Sequence, residues 1–430
     1  MRASHAWRPY VALAFVASCT VAAGCSSSGT VSQPPTPNPI GGAACLTTVP
    51  SPLPSPVASA FAEGISKVQG VPGLAISLVY KNAVYQYYSG YADVRTGRCM
   101  TAGSIVELGS LTKTFTAALL ALAYANGSLK GGDNPARFIK TLGHGNDVGP
   151  GCSPPPAPTP VPPSAYGVMA TMTLTMLATH TSGLPDVPPK EGALSERPCY
   201  SPNQLINFVE TYPSPLPAPT PPHPWLYSNI GFGTLGYVLQ GINKKLWFEQ
   251  VTQSLLLPLN MRRTYDVYDV PAKNYAQGYD CTGTLAVQHW PIDAWPAAGT
   301  LRSTLPDMTR YLSAAMQRAG TPATIAKAMA LAETPVSGAY TPQGAKQGMA
   351  WATTATVPPV IYKDGATDGF NSFIGIVAAR RGKPSTGIVV LTNRAPVKQS
   401  PAPGPTCAPF VGSPADQIGF AVVRTLLTRR

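Results

Sequence analysis

Strand-like segments stand at both ends of this chain, with a long helix-patterned stretch between them. Gly73–Tyr80 and Ala83–Gly90 read as a strand pair around Lys81 and Asn82. Phe370–Ala379 and Thr386–Thr392 read as a second pair around Arg380–Ser385, and Ala415–Leu427 as a closing amphipathic helix. Between them, Leu174–His180, Pro202–Thr211, Gly231–Gln240, Lys245–Leu256 and Ser303–Arg318 carry helical apolar spacing. Strands from both termini share one sheet only if the middle of the chain folds outside it. The pattern therefore predicts an α+β fold: an antiparallel sheet built from both chain ends, flanked by helices, with an inserted all-helical lobe over about residues 125–300. With 430 residues, 44% hydrophobic and 12% charged, the chain has enough material for a large buried core.

The first residues read as an export leader, 1–24. Arg2 and Arg8 are its basic part, Tyr10–Thr20 its apolar part. Val21-Ala22-Ala23-Gly24-Cys25 then resembles a bacterial lipoprotein cleavage site, with Cys25 as the lipidated residue. Ordinary cleavage and an uncleaved anchor are the alternatives. Residues 25–56 are rich in Ser, Thr, Pro and Gly and read as a tether. At about 3.1 Å per residue, ~30 extended residues reach on the order of 90 Å. The remainder, 57–430, is interrupted by proline-rich inserts at 153–163 and 213–224, which read as polyproline-like excursions.

Six cysteines remain after Cys19 and Cys25, and an even number in an exported chain favours disulfides. Their order and flanking loops lead to Cys45–Cys99, Cys152–Cys199 and Cys281–Cys407. None has metal-ligand spacing and the histidines are scattered, so no metal site and no cofactor are expected. The net charge of +12, two of it from Arg2 and Arg8, is spread without a clustered run. In an exported chain this fits an anionic envelope polymer or membrane surface better than nucleic acid. A periplasmic or envelope location and a monomer are expected.

Chemistry enters at Glu107-Leu108-Gly109-Ser110-Leu111-Thr112-Lys113. Thr114–Tyr124 reads as a buried helix that stops near Gly127. This places Ser110 in the first helical turn, where free N–H groups favour a developing anion. Lys113, three residues on, shares its face. A buried lysine beside another cation loses its proton near neutral pH and serves as a base. A serine nucleophile also needs a second proton carrier and a cation. Tyr-x-Asn occurs at Tyr80, Tyr124 and Tyr227. Tyr124 lies roughly 20 Å along the same helix at ~1.5 Å per residue, which is out of reach. Tyr80 sits in the first hairpin, and Tyr227 stands at a loop-to-helix entry. Lys-x-Gly occurs at Lys130, Lys190, Lys346 and Lys363, and only Lys363 runs directly into a strand pair.

The order Ser110-x-x-Lys113, Tyr227-x-Asn229, Lys363-x-Gly365 resembles the serine β-lactamase and penicillin-binding-protein family, above all its class C branch and D-alanyl-D-alanine carboxypeptidase/endopeptidase relatives. Ala178–Pro185, Tyr227–Gly231, Pro258–Met261 and Ala297–Thr304 support it, over about Pro72 to Arg430. The resemblance implies a β-lactamase/transpeptidase-like fold with Ser110 as nucleophile. It implies base work shared by Lys113 and Tyr227, and Asn229 on the substrate amide. Lys363 would steady Tyr227 and a substrate carboxylate, beside Gly365. The N–H groups of Ser110 and Ala366 would form the oxyanion hole. For Tyr227 to act as a base, cations would have to lower its pKa. Asp364 departs from the family, where Thr or Ser is usual. It faces either the cleft or a neighbouring cation. His180 reads as a structural residue. Gly-x-Ser-x-Gly and Glu-x-x-x-Asn are absent. The implied activity is acyl-enzyme hydrolysis of D-Ala-containing peptidoglycan peptides. β-Lactam or small-ester hydrolysis and a silent wall-peptide-binding lipoprotein are the alternatives.

Overall fold

The computed structural model describes Cys45 and residues 53–139, 171–187, 201–212, 224–290, 295–380, 384–396 and 413–428. The leader, Cys25, the 153–163 insert, nearly all of the 213–224 insert, and Cys152, Cys199 and Cys407 lie outside them.

Helix α1 (Ser55–Ile65) leads into strands β1 (Gly73–Tyr80), β2 (Ala83–Asp93), β3 (Arg98–Cys99) and β4 (Val106–Glu107). The middle holds α2 (Thr112–Ala125), α3 (Ala136–Ile139), α4 (Leu174–Ala178), α5 (Pro202–Thr211), α6 (Asn229–Asn243) and α7 (Trp247–Val251). Short strands β5 (Gly278–Tyr279) and β6 (Ala286–Val287) precede α8 (Pro296–Gly299), and β7 (Arg302–Ser303) precedes α9 (Leu305–Ala315) and α10 (Ala323–Glu333). The chain closes with β8 (Lys346–Gln347), β9 (Ala352–Thr353), β10 (Ile361–Ala366), β11 (Asn371–Val377), β12 (Thr386–Thr392) and α11 (Pro414–Thr428).

The main sheet runs β3-β2-β1-β12-β11-β10-β9-β8, and its described pairings are antiparallel. Its centre joins the two ends of the chain: Leu74 lies opposite Thr392 and Val79 opposite Gly387. Strand side chains alternate between faces, so each central strand serves two cores. Leu74, Ile76 and Leu78 of β1 pack with Val57 and Phe61 of α1 and Ile418 and Val422 of α11. Ala75 and Val79 join the other core, with Phe115 of α2 and Leu312 of α9. Lys81 and Asn82 both have positive φ, the conformation of the two-residue turn that matches strand twist.

Tertiary contacts moved several boundaries. α6 starts two residues earlier than its apolar spacing because Ser228 Oγ accepts from Gly231 N at 2.9 Å and caps the helix. The expected helix over Lys245–Leu256 begins only at Trp247 and continues as a π-turn over Thr252–Leu256, which buries Leu255 and Leu256 side by side. Ser303 belongs to β7, opposite Val106, so α9 begins after it. Four helices, α1, α3, α8 and α10, were not among the expected elements. A disulfide joins Cys45 to Cys99 at the β3 end of the sheet. Cys281 is disulfide-bonded as well.

Candidate active site

Ser110 sits in a 3₁₀ turn, Gly109–Leu111, immediately before α2 and not within the α-helix itself. The turn is pressed against the edge of the sheet. A Cβ at Gly109, whose φ is +51°, would meet Ala366 O at 2.5 Å and Ala366 N at 2.7 Å. A Cβ at Gly365 would meet Leu108 O at 2.1 Å and Leu111 N at 2.9 Å. Both positions admit only glycine. Ser372 Oγ, donating to Leu108 O at 2.7 Å, adds a clasp between strand and turn. This close approach brings the Ala366 backbone beside Ser110, which is half-buried and open to solvent on one side.

Three side chains converge on Ser110. Tyr227 Oη donates to Ser110 Oγ at 2.6 Å, and Lys113 Nζ lies 3.0 Å from the same oxygen. Lys113 Nζ also donates to Asn229 Oδ1 at 2.5 Å and to Ala298 O at 2.7 Å. Lys113 is fully buried. Burial, reinforced by the positive charge of Lys363, drives its pKa well below the ordinary lysine value, against a smaller opposing pull from Asp186 and Asp364. A neutral amine has two N–H bonds, and both find oxygens here. Its lone pair is then left for the Ser110 hydroxyl. The proton path runs from Tyr227 to Ser110 to Lys113.

Tyr227 does not meet the condition of a cation-lowered pKa that base work in the free enzyme would require. Its ring lies between two amines, with Lys113 Nζ 5.0 Å and Lys363 Nζ 5.4 Å from the centroid. Burial nevertheless dominates and pushes the phenol up to about 12, with Lys363 and the Ser110 bond pulling only part of the way back. At neutral pH Tyr227 is a proton donor. It becomes a base only after giving its proton away.

On the strand side, Lys363 Nζ donates to Asp364 O at 2.8 Å and lies 3.0 Å from Asp364 Oδ1. β9 pairs only with Ile361 and Tyr362, so the stretch from Lys363 to Ala366 has no described partner on its outer edge. The lysine amine meets both the backbone and the carboxylate of its neighbour Asp364. Burial opposes its charge, but the Asp364 carboxylate outweighs burial and holds Lys363 firmly protonated. In return Lys363 keeps the half-exposed Asp364 below the usual carboxylate range, against the cost of desolvating it. Of the two orientations open to Asp364, the pairing with a cation is the one observed.

His180 is buried at a positive φ and its Nδ1 accepts from Ser228 N at 3.1 Å. Burial, then Lys113 and Lys363, holds it neutral. Its ring packs 4.4 Å from that of Tyr227. It shapes the Tyr227 turn and does not reach Ser110 through any described bond. Two residues escaped sequence reasoning. Asp186 accepts from Asn229 Nδ2 at 2.7 Å. Glu107 accepts at Oε1 from Tyr275 Oη at 2.8 Å and Trp290 N at 3.0 Å, with His289 Nδ1 at 3.1 Å, and locks β4 just before Ser110. Asp186 directly follows the Ala178–Pro185 string, but nothing local pairs it with Asn229. No cluster able to hold a metal ion is found among the described residues.

A half-buried serine activated by a buried amine and a phenol defines a serine hydrolase. The beta-lactamase family model matches residues 58–405, and this chain belongs to that family. The beta-lactamase of Escherichia coli K12 is 27% identical over 363 residues, 76% of this chain and 85% of that protein. The Pseudomonas fluorescens beta-lactamase is 25% identical over 377 residues, 79% and 93% of the two chains. The class C beta lactamase structure from Rhodobacter sphaeroides superposes with a TM-score of 0.65 at 22% identity, covering 87% of this chain and 100% of that one.

Proposed function

We propose that this chain is an envelope hydrolase that opens acyl–nitrogen bonds through an acylated Ser110, with β-lactams as its substrate class. The observation that carries the reading is the convergence of Lys113 Nζ and Tyr227 Oη on one hydroxyl oxygen. Relatives and structural neighbours named as beta-lactamases supply the substrate class. The leader-like first residues supply the location.

In this reading Ser110 Oγ bonds to the carbonyl carbon and its proton passes to Lys113. The carbonyl electron pair moves onto oxygen, which the N–H groups of Ser110 and Ala366 receive. When the tetrahedral intermediate collapses, the C–N bond breaks and the nitrogen takes a proton from Tyr227. Lys113 and Lys363 then face a phenolate. That phenolate draws a proton from water as the water oxygen attacks the acyl carbon. Cleavage of the acyl bond returns a proton to Ser110, and Lys113 and Tyr227 regain their starting states.

A second reading, hydrolysis of neutral amides or esters such as cross-linked D-Ala-containing wall peptides, is favoured by Asp364, which already occupies the Lys363 charge. Turnover of a chromogenic cephalosporin, together with labelling by a fluorescent penicillin over time, separates the two. Rapid turnover with a label that decays is the expected result. A stable label without turnover would move the assignment to peptides. Folded protein that neither labels nor turns over would sink both readings.

A further inference from the structure

Asp186 is the outermost link in a chain of side chains that ends on the nucleophile. Its Oδ1 accepts from Asn229 Nδ2 at 2.7 Å, Asn229 Oδ1 accepts from Lys113 Nζ at 2.5 Å, and Lys113 Nζ lies 3.0 Å from Ser110 Oγ. Asp186 is exposed and Asn229 half-buried, so the two present adjoining polar groups to solvent beside the site. The backbone holds them there. Asp186 O accepts from Asn229 N at 3.0 Å, and the preceding Pro185 O accepts from Ser228 Oγ at 2.7 Å.

The charges at the two ends of the site differ. At the strand end, the Lys363 cation is answered by Asp364. At the helical end, the hydrogen-bond partner of the Asp186 side chain is a neutral amide, and no ion pair to Asp186 occurs among the described residues. Lys113, the nearby amine, is in its basic form when it activates Ser110. Burial raises the pKa of Asp186, so a cation arriving there would stabilise its charged form, and no ion pair does so among the described residues. Asn229 Nδ2 has two N–H bonds and spends one on Asp186, so the other is available to a carbonyl oxygen. An acceptor site for a cation and a donor for a carbonyl thus lie one hydrogen bond apart, as do the ammonium and carbonyl of an α-aminoacyl group.

We propose that Asp186 is a specificity-determining residue that receives the α-ammonium of an aminoacyl amide while Asn229 holds the adjacent carbonyl. This rests on the reading of Ser110 as the acylated nucleophile. It narrows the substrate class to acyl donors with a free amine next to the amide at the end of the site away from Lys363.

Ampicillin and benzylpenicillin test it, because they share the ring and its carboxylate and differ by one α-amino group. Any effect of Lys363 and Asp364 on the ring carboxylate therefore cancels in their ratio. The native enzyme should favour ampicillin in kcat/KM by about 2- to 5-fold, the scale of an exposed ion pair. Asp186→Asn should bring the ratio to about 1. Added salt should shrink the native ratio, a measurement that needs no variant. A native ratio near 1 would overturn the proposal. So would a variant in which both substrates fall equally and the ratio persists, since that is the signature of a merely structural contact. If neither penicillin acylates Ser110, the reading of the nucleophile fails first, which is a different result from an unselective enzyme.

Discussion

Two lysines face the Tyr227 ring, one from the nucleophile helix and one from the sheet edge, and their environments drive them in opposite directions. Both Lys113 and Lys363 are buried. Lys113 is surrounded by neutral oxygens, those of Ser110, Asn229 and Ala298, and burial drives its pKa well below the ordinary lysine value. Lys363 has a carboxylate at 3.0 Å and keeps its proton. One residue type thus supplies a base on the helix and a fixed cation on the strand. The difference is the charge of the nearest oxygen, and the second lysine helps to favour the unprotonated form of the first.

Short of losing the nucleophile itself, the largest effect should come from removing the base. Lys113→Met should slow acylation by about 10²- to 10⁴-fold, the range of general base catalysis. Stopped-flow labelling with a penicillin checks it. Ser110→Ala should abolish covalent labelling altogether while circular dichroism stays native, and a labelled variant would move the nucleophile elsewhere. Tyr227→Phe keeps the ring between the lysines and removes its proton. A fall of about 10²-fold in kcat is expected. A change of only a few-fold would assign all proton transfer to Lys113 and remove any need for the second lysine near the ring.

The pH profile addresses the comparison directly. Lys113 must be neutral to act, and the fold lowers its pKa, so kcat/KM should fall as pH drops through that lowered value. Tyr227, at about 12, should produce no alkaline loss in the free enzyme until strongly basic pH. Lys363→Met removes a positive charge that disfavours protonated Lys113. The acid limb should then move to higher pH, by less than about one pH unit through a screened interaction. A limb that stays in place would mean that the lysines act independently. The smallest effect concerns the carboxylate. Asp364→Thr frees Lys363 and should lower KM for a carboxylate-bearing substrate about 2- to 5-fold more than for its methyl ester. Equal responses would make Asp364 a structural partner only.

Much of this was legible along the chain. The two hairpins follow from apolar strand runs broken at Lys81–Asn82 and after Val377. Ser110 and Lys113 are three residues apart on one helix start, so their contact is local. Tyr227 and Lys363 needed the order of the three short strings, since Tyr-x-Asn and Lys-x-Gly each recur. Asp186 and Glu107 were not legible. Each meets its partners only after folding, across 43 residues for Asp186–Asn229 and 168 for Glu107–Tyr275. The direction of the Tyr227 pKa was not legible for a related reason: nearby cations are visible in a sequence, whereas the depth of burial that outweighs them is not.

The sequence by itself determined the two hairpins, the more strongly patterned helices, and the contact between the serine and the lysine three residues on, because periodicity, turn chemistry and i,i+3 spacing act over a few residues. Tertiary structure alone decided the protonation of the site. It buried Lys113 among neutral oxygens, set Lys363 against Asp364, enclosed Tyr227 deeply enough to keep its proton, and set Asp186 at the open end of the chain of contacts to Ser110. Charge states depend on solvent exclusion and on partners distant in sequence, and neither exists until the chain has closed.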